Sequence, residues 1–110
     1  MAATPEAKVK AAIRRMLTTR GAYVRLTVMA GYGASGQLDL YVCYRGRYLG
    51  IEAKALASSK VTELQRAELD TVRAAGGIAL IIHRDNLTLL TETLNEIDTT
   101  LCTSTHPTSA

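Results

Sequence analysis

The sequence predicts an α/β protein with the element order α-β-β-β-α-β-α, in which helices flank a mixed central sheet. Apolar residues recur at helical spacing in three segments, and β-rich runs lie between them. Two of these runs are separated only by the turn dipeptide Arg45-Gly46. A chain of 110 residues corresponds to one domain, which we place at residues 4–101. The polar segment 102–110 is predicted to be a disordered tail.

The first predicted helix begins at Thr4-Pro5-Glu6, which supplies an N-cap, a proline at the first helical position and an acid in the first turn. Apolar residues then recur at helical spacing until Gly21: Val9, Ala12, Ile13, Met16 and Leu17. The first strand is predicted at residues 23–30, and a loop is predicted at residues 31–36. The loop glycines spell G-x-G-x-x-G. We reject a dinucleotide-binding loop because strand character follows where that motif needs a helix.

Strands two and three are predicted at residues 38–44 and 48–53, and Arg45-Gly46 between them is typical of a tight hairpin. A second helix follows its N-cap Thr62 and ends at a Gly-Gly pair. The continuous apolar run 78–83 predicts a fourth strand that is buried on both faces. An Asp-Asn dipeptide then offers the N-cap of a third helix with these apolar positions: Leu87, Leu90, Leu94 and Ile97.

The composition is that of an ordinary globular protein, with 47% hydrophobic and 21% charged residues. The net charge of +3 permits a phosphate-bearing partner without requiring one. Cys43 and Cys102 form no metal-binding pattern, which favours free thiols and the cytoplasm. We expect no signal peptide, because basic residues interrupt the first apolar segment. We also expect no membrane helix, because no apolar stretch approaches ~20 residues.

Arginine predominates among the basic residues, and it is the type suited to bidentate phosphate contacts. Four arginines cluster around the first helix and strand: Arg14, Arg15, Arg20 and Arg25. Arg45 and Arg47 lie at the predicted hairpin. Such clusters fit either a solvated face or a surface that follows phosphate groups, and the sequence leaves both interpretations open.

Two carboxylates and a lysine occur in strands two and three: Asp39, Glu52 and Lys54. A two-residue turn pairs Tyr44 with Arg47, and counting back from that pair places Asp39 opposite Glu52. A bulge or a longer turn would shift this pairing by one position. Glu52 and Lys54 share one face because side chains alternate along a strand.

Two carboxylates at about 5 Å repel by roughly 3 kcal/mol at an effective dielectric near 20. Protonation of one acid, pairing with Lys54, or a divalent cation such as Mg²⁺ relieves the repulsion. The alternative is a solvated strand face that carries these residues without further function.

The order of motifs resembles the VRR-NUC (virus-type replication-repair nuclease) domain of the PD-(D/E)xK nuclease superfamily, in its stand-alone bacterial or phage form. The motifs are GQLDL at residues 36–40, a hairpin, GIEAK at 50–54, T-x-x-Q at 62–65 and AGGIALII at 75–82. The resemblance covers residues 4–85 and implies a restriction-endonuclease-like fold.

The resemblance implies a role for each matching residue. Asp39 and Glu52 would be metal ligands, and the backbone carbonyl of Ala53 would add a third. Lys54 would be the catalytic lysine, and Gln65 a supporting active-site residue.

Glu6 is the candidate for the glutamate that this family carries on its first helix, where it would be a catalytic residue and a metal ligand. Val9 and Ile13 lie three and seven residues later, so Glu6 continues the apolar stripe of the helix. Interaction with the helix dipole is the alternative role. The sequence departs from the family at Leu38, where the family usually has proline before the aspartate.

The resemblance implies an endodeoxyribonuclease that uses Mg²⁺ or Mn²⁺. Stand-alone members resemble Holliday-junction resolvases, so we expect a homodimer that acts on four-way DNA junctions. The expected location is the cytoplasm of a bacterial or phage-infected cell. Flaps or other branched DNA are alternative substrates, and Tyr32 and Ser35 in the glycine loop are candidate DNA contacts. Two other classes stay open: a catalytically inactive nucleic-acid-binding module of this fold, and a structural protein whose acids are surface residues.

Overall fold

A computed structural model describes residues 3–28 and 36–103. The described residues confirm the predicted order of elements: α1 Pro5–Thr19, β1 Tyr23–Leu26, β2 Leu40–Tyr44, β3 Arg47–Ala53, α2 Glu63–Ala74, β4 Ile78–Ile82 and α3 Leu87–Thr103. Thr4 and Thr62 cap α1 and α2 as predicted. Because α3 ends at Thr103, its last two residues belong to the segment predicted as a tail. Residues 31–35 of the predicted glycine loop, which include Tyr32 and Ser35, lie outside the described residues.

The described strands form one sheet in the order β1-β2-β3-β4. The first three are antiparallel neighbours, and β4 lies parallel to β3. The turn between β2 and β3 has two left-handed residues, with φ of 51° at Arg45 and 84° at Gly46, as a type I′ hairpin requires. Tyr44 pairs with Arg47, so the register is the predicted one. Asp39 therefore lies directly before β2, beside the C-terminal end of β3.

Helices cover both faces of the sheet. α1 and α3 pack over the larger core on one face, and α2 packs over a smaller core on the other. In β3, residues 49, 51 and 53 enter the larger core, whereas Gly50 and Glu52 face α2. A Cβ on Gly50 would lie 2.7 Å from Leu38 Cδ1 and 3.4 Å from Val72 Cγ2, so glycine lets this layer close. Within the described residues, no helix combines the length and apolar character that crossing a membrane requires.

Leu38 replaces the expected proline and has a structural role of its own. Its side chain is fully buried in the smaller core. Its backbone N–H donates to the Tyr41 hydroxyl at 3.1 Å, and that hydroxyl donates to Glu68 Oε2 at 2.7 Å. Burial raises the pKa of Tyr41 to about 12, so the hydroxyl keeps its proton. Proline has no N–H for this chain of hydrogen bonds, and leucine therefore anchors the segment directly before Asp39.

β4 is the edge strand of the described sheet, and both of its faces are covered as predicted, with Ile78, Leu80 and Ile82 in the larger core and Ala79 and Ile81 in the smaller one. Ile78, Leu80 and Ile81 are only partly buried, because β4 has a neighbouring strand on one side alone. A continuous apolar run predicts that both faces of a strand are covered, but it does not predict whether the strand lies at the edge of the sheet.

The free edge of β4 is occupied by side chains. The Asn86 side-chain amide donates to the Ile81 carbonyl at 3.0 Å and accepts from the His83 N–H at 2.6 Å. The Arg73 guanidinium donates to the Ala79 carbonyl at 3.0 Å. Asn86 thus makes the pair of bonds that a neighbouring strand would make, and such blocking protects an edge from association with other strands.

Replacing Asn86 by alanine should lower the free energy of unfolding by about 1 kcal/mol, because two partly buried backbone groups lose their partner. Urea denaturation measures the change. The control Glu92→Ala, at an exposed position of α3, should stay within about 0.5 kcal/mol of the wild type. An Asn86→Ala protein that unfolds at the wild-type midpoint would contradict a stabilising role for this contact.

Candidate active site

Asp39 and Glu52 meet where β2 begins and β3 ends. The Asp39 backbone N–H donates to Glu52 Oε1 at 3.2 Å, and the Ala53 N–H donates to Asp39 Oδ2 at 2.9 Å. The backbone at or beside each acid therefore binds the carboxylate of the other acid. The Thr27 N–H also donates to the Asp39 carbonyl at 2.9 Å, which fixes the Asp39 backbone from the side of β1. The juxtaposition of the two acids that the hairpin register predicted is present in the structure.

The carboxylate of Glu52 is in an unusual environment, because the residue is only 2% exposed. Burial raises the pKa of Glu52, and the neighbouring Asp39 carboxylate raises it further. Lys54 and the Asp39 N–H lower this pKa in part, since both stabilise the charged form. Carboxyl groups whose pKa is shifted by burial and by a specific charged neighbour are typical of functional sites.

Lys54 and Gln65 complete a network around Glu52. Lys54 Nζ lies 3.1 Å from Glu52 Oε2 and donates to Gln65 Oε1 at 3.1 Å. Gln65 Nε2 donates to the same Glu52 oxygen at 2.9 Å. Gln65 also forms the capping box of α2 with Thr62, whose N–H it accepts at 3.1 Å. The start of α2 therefore holds both the lysine and the glutamate in place.

No family model matches this chain, and no curated protein matches it. A solved structure described as a VRR_NUC domain is similar to it, with a TM-score of 0.65 and 23% sequence identity over 90% of this chain and 96% of that one. The chain has the VRR_NUC fold. This likeness confirms the restriction-endonuclease-like architecture and, at the level of the fold, the resemblance that the motifs indicated.

A residue that the sequence analysis did not single out joins the site from α1 of this VRR_NUC fold. Lys10 Nζ lies 3.4 Å from Asp39 Oδ1, and the two side chains are 35% and 19% exposed. Two carboxylates thus face two ammonium groups, Lys10 at Asp39 and Lys54 at Glu52. Lys10 comes directly after buried Val9, at the margin of the apolar stripe. That spacing is the signal from which it could have been found.

Glu6 does not join the network. Its side chain is exposed and forms no hydrogen bond or ion pair with the residues that the structure describes. The helical spacing placed it on the buried side of α1, but burial along this helix begins only at Val9. Glu6 precedes Lys10 by four residues and so lies on the same side of the helix as the site. Its roles as catalytic residue and metal ligand stay predictions.

The donor set of the site fits a hard divalent cation, because Asp39 and Glu52 offer carboxylate oxygens. Across residues 3–28 and 36–103, no third Asp, Glu, His or Cys joins them to form a metal-binding group. Mg²⁺ is commonly bound through one or two carboxylates, while water and substrate phosphate complete its octahedron. Two acids at the margin of the sheet satisfy this requirement, and the Ala53 carbonyl is the further ligand that the resemblance implies.

Proposed function

We propose that this protein is a metal-dependent endonuclease that hydrolyses phosphodiester bonds in DNA. The observation that carries the proposal is the pair Asp39 and Glu52, in which backbone amides fix two carboxylates against each other. Placing Glu52 in a buried position beside a second acid disfavours its charged form. Such an arrangement is better explained by function than by stability. The likeness to a structure described as a VRR_NUC domain supports nuclease chemistry.

Each residue of the network has a role in this proposal. Asp39, Glu52 and the Ala53 carbonyl would hold Mg²⁺ or Mn²⁺, which supplies Lewis acidity toward the phosphoryl oxygens and toward water. Lys54 holds its ammonium beside Glu52, where it can donate to the negative charge that develops on the phosphate. Gln65 restrains Lys54 and Glu52 through one amide and so keeps the ammonium at the site.

The network favours an enzyme over the other two classes. A module that only binds DNA gains nothing from two adjacent acids, because carboxylates repel phosphate groups. A structural protein with surface acids does not fit either, since Glu52 and Lys54 are 2% and 9% exposed. Buried ion pairs also contribute little net stability compared with apolar residues of similar volume. Catalysis therefore explains these residues better than either alternative.

We further propose that the substrate is branched DNA, with the four-way junction as the first candidate and a homodimer as the acting unit. Every helix in the described part of the chain packs on the one sheet, which leaves no separate element to contact base edges. Selectivity would then depend on DNA shape. Two sites related by a two-fold axis suit a symmetric junction. An exposed free thiol at Cys43 favours the reducing cytoplasm as the place of action.

A panel of labelled DNA molecules tests this proposal. Four-way junction, flap, nicked duplex and linear duplex are each incubated with the protein and Mn²⁺, with EDTA as the control. We expect paired cuts in the four-way junction and slower or no cutting of linear duplex. Faster cutting of the flap would replace the junction by the alternative substrate. Failure to cut any of the four would contradict the proposed activity.

Replacing Lys10 by methionine should tighten Mn²⁺ binding by about two- to fivefold, because Asp39 loses a competing cation in a partly exposed ion pair. Isothermal titration calorimetry with Mn²⁺ alone measures this change without any DNA. The matched control is Lys8→Met, since Lys8 is an exposed lysine of the same helix. Equal tightening in both variants would show a general charge effect and would contradict a specific role for Lys10.

A further inference from the structure

A basic groove runs beside α1, between that helix and β1. It has a volume of about 560 Å³, and Lys10, Arg14 and Arg15 line it together with Leu26 of β1 and small residues such as Ala11. Among the described residues, no acidic side chain lines this groove. Three cationic side chains therefore face one concave surface, and among the described residues Lys10 alone of the three has an acidic partner, Asp39.

The groove begins at the candidate active site. Lys10, which lines the groove, has its Nζ 3.4 Å from Asp39 Oδ1. Arg14 follows four residues later, about 6 Å along the helix axis, and Arg15 lies next to it. A DNA strand whose reacting phosphate lies at Asp39 can continue from there into the groove. Its neighbouring phosphates would then come within reach of Arg14 and Arg15.

The other two arginines of the cluster around the first helix and strand, Arg20 and Arg25, do not line the groove. Arg20 is engaged by α3, since its guanidinium lies 3.4 Å from Asp98 Oδ2 and 2.6 Å from Asn95 Oδ1. Arg25 lines a different surface together with Tyr41, because alternate residues of β1 point to opposite faces of the sheet. The cluster that the sequence suggested thus divides, and only two of its four members face the groove.

Arg14 and Arg15 form no ion pair with any residue that the structure describes. Lys10, which is paired with Asp39, and Arg14 are like charges four residues apart, a spacing that weakly destabilises a helix. An external anion would relieve this repulsion, and phosphate matches the bidentate geometry of a guanidinium. A merely solvated face explains why these side chains are exposed. It does not explain why they line one groove that starts at the carboxylates.

We propose that this groove binds the sugar-phosphate backbone of the DNA strand beside the bond that is cut, with Arg14 and Arg15 each contacting a phosphate. The inference rests on the proposed function, because it takes the reacting phosphate to lie at Asp39. It adds the path of the strand along α1. Lys10 contacts Asp39 as well as the groove, and it is therefore left unchanged in the test.

The test is the salt dependence of binding to a fluorescein-labelled four-way junction, followed by anisotropy in EDTA so that no cutting occurs. The groove variant Arg14→Gln/Arg15→Gln is compared with the wild type and with Arg45→Gln/Arg47→Gln. This control removes the same charge at the hairpin, at the opposite end of β3 from Glu52. Each phosphate contact contributes about 0.9 to the slope of log K against log salt. We expect the groove variant to lose about 2 from the slope for each bound protomer and about tenfold in affinity, while the control stays at the wild-type slope.

An unchanged slope in the groove variant would overturn the proposal. Equal losses in the groove variant and the hairpin control would also overturn it, because binding would then follow total charge. Nicking of DNA by the same wild-type preparation with Mn²⁺ tests the nuclease separately. If the wild type nicks DNA but the groove variant keeps the wild-type slope, the groove proposal alone is rejected. If the groove variant alone loses slope and the wild type does not nick DNA, the groove proposal is supported and the nuclease is rejected. A wild type that neither binds nor cuts DNA rejects both.

Discussion

The Asp39→Asn variant should lose DNA cleavage and melt at a higher temperature than the wild type at pH 7.5. Cleavage falls because one of the two proposed carboxylate ligands loses its charge. We expect a loss on the order of 10³-fold, equivalent to several kcal/mol of transition-state stabilisation. The fold is preserved because asparagine keeps an oxygen that can accept the Ala53 N–H, as Asp39 Oδ2 does.

Stability rises in this variant because Asp39 raises the pKa of Glu52. The folded state holds the Glu52 proton more tightly than the unfolded chain, where the pKa has its ordinary value of 4.5. Folding therefore loses stability as the pH rises from 4.5 through the raised pKa, and the loss is complete above it. Removing the Asp39 charge reduces this loss and should raise the melting temperature, because the partly exposed ion pair with Lys10 that the variant also loses contributes little stability. The gain should fade as the pH falls toward 4.5.

Asp70→Asn is the matched control, because Asp70 is an exposed acid of α2 in an ion pair with Arg73. It should change neither cleavage nor melting temperature by a measurable amount. Cleavage by Asp39→Asn at the wild-type rate would show that the site is assigned wrongly. A variant that is inactive and also less stable would show that Asp39 supports the structure, and its inactivity would then say nothing about catalysis.

The Lys54→Met variant should cut DNA about 10²- to 10³-fold more slowly at saturating Mn²⁺, because the transition state loses a preorganised cationic donor. Mn²⁺ binding should persist, since both carboxylates remain. The pKa of Glu52 should rise further without the ammonium that lowers it. Protons then compete more strongly with Mn²⁺ for Glu52, so the midpoint of Mn²⁺ binding against pH should move to higher pH, a shift that a purely structural role of Lys54 would not produce.

Removing one partner of a buried ion pair can destabilise a protein by about 3–5 kcal/mol, so the folded state of Lys54→Met is first verified by circular dichroism in Mn²⁺. Lys60→Met is the matched control, because Lys60 is an exposed lysine between β3 and α2. Its cleavage rate and its pH profile of Mn²⁺ binding should equal those of the wild type. Wild-type activity in Lys54→Met would remove Lys54 from the catalytic machinery, and the same loss in Lys60→Met would attribute the effect to total charge.

The carboxylate pair could be predicted from the sequence because it depends on one local feature. The two-residue turn at Arg45-Gly46 fixes the pairing of Tyr44 with Arg47, and strand alternation carries that register to Asp39 and Glu52. Gln65 was predicted from the family resemblance, and the capping box with Thr62 fixes it in the first turn of α2, where it contacts Glu52 and Lys54.

Other features could not be predicted because they depend on how separate elements pack. Lys10 reaches Asp39 only because α1 docks with Val9 inward, and an apolar stripe does not specify which polar residue at its margin meets a strand end. Glu6 continues the same stripe but precedes the part of α1 that the core covers. The structural role of leucine at position 38 depends on Tyr41, whose hydroxyl accepts a hydrogen bond from the Leu38 N–H. A proline at this position would have no N–H to donate.

The most direct test of the central claim is cleavage of a supercoiled plasmid whose inverted repeat extrudes as a four-way junction, the substrate proposed above. Wild-type protein, Asp39→Asn and Glu52→Gln are incubated with the plasmid in Mn²⁺, and the wild type also in EDTA. We predict conversion to open-circular or linear DNA by the wild type with Mn²⁺ alone, and by neither variant. Equal cleavage by all three proteins, or cleavage by the wild type in EDTA, would contradict a metal-dependent nuclease site at Asp39 and Glu52.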